Sequence, residues 1–150
     1  MRTLLQRVSS ASVEIDGTIH SSISHGFLIL LGIEAADDAS DIAWLAGKIS
    51  RLRVFEDEEG KMNRSILDTA GDILVVSQFT LHASTKKGNR PSFLKAAPPE
   101  ISDPLYGSFC KSLSAELGKP VAKGIFGADM KVSLTNDGPV TLWIDSRNRE

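Results

Sequence analysis

Apolar and polar residues alternate through positions 2–15 with the period of two expected of a strand covered on one face, and Asp16-Gly17, a strong two-residue hairpin signal, predicts an antiparallel return over Thr18 to Ser24. Between its glycines, Gly26-Phe27-Leu28-Ile29-Leu30-Leu31-Gly32-Ile33 is apolar throughout, as a central strand covered on both faces would be. The period then changes. Ser40-Asp41 can cap a helix in which Ile42, Leu45, Ile49 and Leu52 recur at helical spacing, with Lys48 and Arg51 on other faces. Arg53 to Glu56 reads as a short strand and Asp57-Glu58-Glu59-Gly60 as a charged turn. Asp72 to Leu81, rich in β-branched residues, predicts the strongest strand of the chain, and its last residues turn polar. After a loop from Ser84 to Pro99, Ser102-Asp103-Pro104 predicts a second helix whose stripe Leu105, Phe109, Leu113, Leu117 stops at Gly118. Val121 to Phe126, Asp129 to Thr135 and Val140 to Asp145 read as three closing strands. These elements predict a single α+β domain over residues 1–150, built on a mainly antiparallel, curved or barrel-like sheet with two main helices on one side and a frayed tail at 146–150.

A formal charge of −2 over 150 residues argues against coating nucleic acid by bulk electrostatics, so any RNA contact should be local. One cysteine, Cys110, excludes an intrachain disulfide framework and suits a reducing compartment; beside the stripe of the second helix it reads as core. The closely spaced charges of Met1 to Val8 do not form a signal peptide, and no apolar run approaches the ~20 residues that span a bilayer. A cytoplasmic protein without membrane contact is expected. His20, His25 and His82 lack metal-ligand spacing, so neither a metal site nor a cofactor is expected.

Two strings carry candidate chemistry. Ser77-Gln78-Phe79-Thr80-Leu81 closes the strongest strand, where alternation would set Gln78 and Thr80 on one face and Ser77 and Phe79 on the other. A strand end can offer unpaired backbone N–H groups as an oxyanion hole for a carbonyl under attack. Asn136-Asp137-Gly138-Pro139-Val140-Thr141 puts a surface without Cβ at Gly138, or merely a turn with proline opening a strand. His82, two residues beyond Thr80, lies ~6.5–7 Å along an extended strand, too far to activate its hydroxyl, and reads as a pocket-rim or surface residue. Lys86, Lys87, Gly88 and Arg90 form a compact basic loop, a solvated run or a phosphate contact.

In this order and setting the two strings resemble the signature pair of the D-aminoacyl-tRNA deacylases. The similarity extends through Gln6-Arg7-Val8, Ala11-Ser12-Val13, Phe55-Glu56-Asp57, Lys61-Met62-Asn63, Arg90-Pro91-Ser92-Phe93, Phe126-Gly127-Ala128-Asp129-Met130 and Leu142-Trp143, covering essentially residues 1 to 146. It implies an enzyme that hydrolyses the ester joining a D-amino acid, or glycine, to tRNA. It also implies a homodimer with its sites at the subunit interface, where a cis Gly138-Pro139 of one subunit enters the pocket of the other and rejects L-aminoacyl esters. Ser77, Gln78, Phe79 and Thr80 are then the catalytic strand end; Arg7 braces the Gly-Pro segment, Met130 lines the pocket, and Lys86, Lys87 and Arg90 are candidate tRNA contacts. After Thr80-Leu81 the family often shows Tyr-Ala-Asp, whereas this chain has His82-Ala83-Ser84. Two other classes stay open: an RNA- or protein-binding module that has lost turnover, and an esterase or peptidase with a Ser or Thr nucleophile, for which no base or orienting acid is evident.

Overall fold

Strand β1 (Arg2–Ile15) is the spine of the fold, because its fourteen residues are long enough to serve three partners. Its first half pairs antiparallel with β3 (Gly26–Gly32), its second half with β2 (Thr18–Ile23), and its other edge with β8 (Lys131–Asp145). Asp16 and Gly17, both at positive φ, make the hairpin turn expected of them. Residues 1–149 are described in this computed structural model.

The sheet is mixed and nearly closed, which corrects the expectation of a mainly antiparallel one. Strand β6 (Asp72–Ser77) runs parallel to β3, and β7 (Ala122–Lys123) parallel to β6. The cause is the order of elements. Helix α1 (Ala39–Arg51) lies in the chain between β3 and β6, and α3 (Pro99–Leu117) between β6 and β7, so each pair is joined by a helical crossover that returns the chain in the same direction. Between α1 and β6 come a small ribbon of β4 (Phe55–Glu56) and β5 (Met62–Arg64) and a one-turn helix α2 (Ile66–Thr69).

Both main helices cover one face, as expected: Leu45 and Ile49 of α1 join Phe109 and Leu113 of α3 over Leu5, Phe27, Ile29 and Val75. A second cluster of Val8, Val13, Leu28, Leu74 and Val76 fills the opposite face. Strand β3 is therefore covered on both sides, the reason its sequence is continuously apolar.

Several boundaries move for identifiable reasons. Helix α1 is capped by Asp38 rather than Ser40-Asp41: the Asp38 carboxylate accepts from the N–H groups of Ser40 and Asp41, and the Asp41 carboxylate accepts from Asp38 N. Helix α3 begins at Pro99, a turn earlier than expected, with proline at its first position where no amide donor is needed. The three closing strands become a two-residue β7 and one continuous β8. Residues 146–149 are anchored rather than frayed: Ser146 is buried and its hydroxyl donates to Asp41 (2.6 Å), while Arg147 pairs with Asp37 and Asp41. Glu150, the end of that expected tail, lies outside the described residues. Among the described residues no helix is long and apolar enough to cross a membrane.

Candidate active site

Strand β6 stops at Ser77, four residues short of the expected end, because its partner runs out. Gln78 N donates to Leu31 O (2.7 Å) as the last rung beside β3, which ends at Gly32. Gln78 then leaves the strand conformation (φ −146°, ψ 82°) and a single 3₁₀ turn, Phe79–His82, follows. The alternation expected for residues 77–81 therefore ends at Gln78. Within the turn, Leu81 N donates to Gln78 O (3.2 Å), and at its exit Ala83 N donates to Thr80 O (3.0 Å). The N–H groups of Phe79 and Thr80 precede the first of these bonds and, among the described residues, have no backbone acceptor, as at any helix start. The Gln78 side-chain amide donates to Thr80 Oγ1, tying the exposed side of the turn together.

Beside this turn lies a pocket of about 670 Å3. Ser77, Gln78, Phe79 and Met130 come together in its wall with Phe93, Phe126 and Asp129, over a floor that includes Leu31 and Ile33. Phe79 is 56% exposed and packs edge-on against Phe93 with ring centroids 5.1 Å apart, so the two rings form one side of the mouth. Behind the pocket, Tyr106 Oη donates to Val75 O (2.8 Å), and its ring lies 6.1 Å from that of Phe126. Burial pushes the Tyr106 phenol well above its ordinary range, so it acts as a fixed donor. Met130 occupies the space left by Gly124, with its sulfur 2.5 Å from where a Cβ would stand. Thr80 lies on the exposed side of the turn and does not line the pocket.

Arg7, Gly138 and Pro139 form a second cluster outside that pocket. Gln6 pairs with Thr141 and Val8 with Asn136, so the four residues Asp137–Val140 span a step that needs only one, and the segment is pushed out of the ladder. Its peptide between Gly138 and Pro139 is cis, as the resemblance implied, and both residues are exposed. The protrusion is clamped at its base. Asn136 stands in for a strand partner, accepting from Val140 N (2.9 Å) through Oδ1 and donating to Thr141 Oγ1 (3.0 Å) through Nδ2. Arg7, buried beneath, donates from Nε to Asp137 O (2.9 Å) and from Nη1 to Val54 O (2.5 Å), with Glu56 and Asp137 carboxylates at 4.0 and 3.8 Å.

The basic loop hangs from the pocket rim. Ser84 N donates to Ser92 O (2.8 Å) and Ser92 N to Ser84 O (2.9 Å), closing a loop that exposes Lys86, Lys87 and Arg90 just before Phe93. His82, expected at the rim or surface, is instead fully buried. Cys110 is in the core of α3, and burial raises its thiol to about 11, which removes it from nucleophilic chemistry near neutrality.

Sequence reasoning missed Leu31 and Ile33, whose strand gives no chemical signal, and the paired role of Asn136. Phe93, Phe126 and Asp129 were legible only as parts of the resemblance.

A family model described as D-Tyr-tRNA(Tyr) deacylase matches residues 4–145. Proteins named D-aminoacyl-tRNA deacylase from Bacteroides fragilis (strain YCH46) and Parabacteroides distasonis are 64% and 61% identical to this chain over 150 residues, covering all of each. A solved structure titled c-Myc DNA Unwinding Element Binding Protein superposes with a TM-score of 0.91 at 41% identity, covering 97% of this chain and 98% of the other. A probable eukaryotic D-amino acid tRNA deacylase shares the fold, with a TM-score of 0.82 at 17% identity over 95% and 97% of the two chains.

Proposed function

The chain belongs to the D-Tyr-tRNA(Tyr) deacylase family, and on that premise we propose that it hydrolyses the ester joining a D-amino acid, or glycine, to the terminal ribose of tRNA, acting as a homodimer in the cytoplasm. The observation that carries the mechanism is the 3₁₀ turn at the pocket mouth, with two adjacent N–H groups that no backbone carbonyl of the described residues accepts from. An aminoacyl ester is already activated, so orienting it and stabilising the oxyanion suffices for rapid attack by water. The N–H groups of Phe79 and Thr80 receive the developing oxyanion. Ser77 and Gln78 hold the strand end, and Gln78 fixes Thr80 through its side-chain amide.

Handedness is read at Cα by a second copy of the chain. Gly138 and Pro139 protrude, lie outside the pocket of their own chain and are braced from below, which supports their delivery into a partner's pocket. Their carbonyls bind the substrate amino group and leave no room for an L side chain, so varied D side chains are accepted. Purified protein is expected to release D-tyrosine from D-tyrosyl-tRNA and leave the L-ester intact; equal cleavage of both esters, or a monomer in sedimentation that is still fully active, defeats this reading.

Thr80 is a positioning group here, since its hydroxyl accepts from Gln78 and, among the described residues, no hydrogen bond joins it to a base. Thr80→Ala is expected to lower kcat by no more than about tenfold, the worth of one neutral hydrogen bond, and quenched single turnovers of the wild type should trap no acyl-enzyme. An ester isolated on Thr80 would establish the covalent route instead.

The loop carrying Lys86, Lys87 and Arg90 contacts the phosphates of the tRNA acceptor end. Replacing Lys86 and Lys87 by Gln should raise KM for aminoacyl-tRNA and lower the slope of log KM against log salt by about one to two, with kcat unchanged. An unaltered salt slope places the RNA elsewhere.

A further inference from the structure

Among the described residues, both ring nitrogens of His82 are buried without a hydrogen-bond partner. The ring sits at the last position of the 3₁₀ turn, fully buried, and Gly32 makes its space. A Cβ at Gly32 would stand 2.9 Å from Leu81 Cβ, 3.0 Å from His82 Cδ2 and 3.1 Å from Gln78 O, so both ends of the turn close on that one glycine. Arg2 is the third fastening: its Nη1 donates to Leu81 O (3.2 Å) while its Nε is held by Asp145 (2.9 Å).

Resting on the reading of this turn as the site of the ester carbonyl, we infer that His82 is a positioning residue: its neutral ring, wedged on Gly32, sets the direction of the Phe79 and Thr80 N–H groups, and protonation of the ring releases the turn. An imidazolium would be a buried charge whose ring nitrogens make no hydrogen bond in this arrangement; the backbone of Gly32 offers the charged form some support, which burial outweighs. The charges facing the ring do not rescue it. Arg2 of β1 and the amino group of Met1 disfavour a second cation, while the backbone of Gly32 and the carboxylate of Glu34, just after β3, favour one without outweighing burial. Burial, the largest effect, holds the ring's pKa below its ordinary 6.5, with Arg2 acting in the same direction. Because the folded-state value is depressed, the contribution of the neutral ring is complete above 6.5 and is lost as pH falls from there toward the folded-state value.

The test has an arm that needs no turnover. In 15N spectra of the wild type, the His82 ring should remain neutral just below pH 6.5, and the amide signals of Phe79, Thr80 and Leu81 should move together when it titrates at lower pH. Turn amides that stay still while the ring titrates overturn the inference. In the kinetic arm, kcat for D-aminoacyl-tRNA should fall on the acid side with little change in KM, and His82→Phe, whose ring does not titrate, should lose that limb. A limb of the same midpoint in His82→Phe overturns the inference. Gly32→Ala, which presses on Leu81, His82 and Gln78 O, should displace the same amides at neutral pH and lower kcat by tenfold or more, by about 1 Å misplacement of the donors. If the amides follow His82 but no D-ester is cleaved, the coupling stands and the assigned substrate fails; if D-esters are cleaved with unmoved amides, the coupling fails and the substrate stands.

Discussion

Gly138→Ala is expected to reduce kcat/KM for D-aminoacyl-tRNA by about a hundredfold or more, while leaving most of the folding stability in place. The steric argument is local. A Cβ at this position would stand 2.8 Å from Arg7 Nη2, 2.9 Å from Val140 Cγ2 and 3.1 Å from Val140 N, and the residue has φ +130°, a conformation that side chains disfavour. The arginine end is buried and engaged on both sides, so it cannot simply swing away. The protruding corner must shift instead, and its tip is the part proposed to meet the substrate's amino group. Because the tip is exposed, little core packing changes with it. Single-turnover hydrolysis of D- and L-tyrosyl-tRNA, beside thermal unfolding, separates the two effects. A variant with D-ester turnover within about threefold of wild type would show that the corner takes no part in catalysis.

Arg7→Ala should damage both stability and activity. Its guanidinium donates to the carbonyls of Asp137 and Val54, joining the Gly-Pro corner to the segment after α1. Removing it strands those carbonyls and a cavity beneath the corner, for a loss of about 2–4 kcal/mol and a Tm lower by about 5–15 °C. The carboxylates of Glu56 and Asp137 add little, since each is about 60% exposed and screened by solvent. Arg7→Lys is the informative companion. One ammonium cannot reproduce a planar fork that reaches two carbonyls in different directions, so Lys should recover part of the stability and less of the turnover. A substitution that lowered Tm without touching the rate would confine Arg7 to folding.

These two residues show how much of the site was legible beforehand. Arg7 and Gly138-Pro139 are visible in the sequence only as short strings and acquire roles through the resemblance, because their contact joins positions more than a hundred residues apart. The protrusion that carries Gly138 depends on how many residues of β8 lie between two rungs on β1, a count that no reading of either strand contains. His82 was misread for a related reason. Strand alternation does not continue past Gln78, since the ladder ends where β3 ends, and the burial of His82 rests on the missing side chain of Gly32 fifty positions away.

The sequence by itself determined the two-sided apolar strand β3, the amphipathic helices, the hairpin at Asp16-Gly17 and the α+β class, because hydrophobic period and turn chemistry act over a few neighbouring residues. Tertiary structure alone decided the parallel pairing of β6, the point where that strand turns into a 3₁₀ helix, the clamp of Asn136 and Arg7 on the Gly-Pro corner, and the closing of His82 on Gly32. Each of these depends on which strand ends first and which side chain is absent opposite, and such facts exist only once distant segments are packed together.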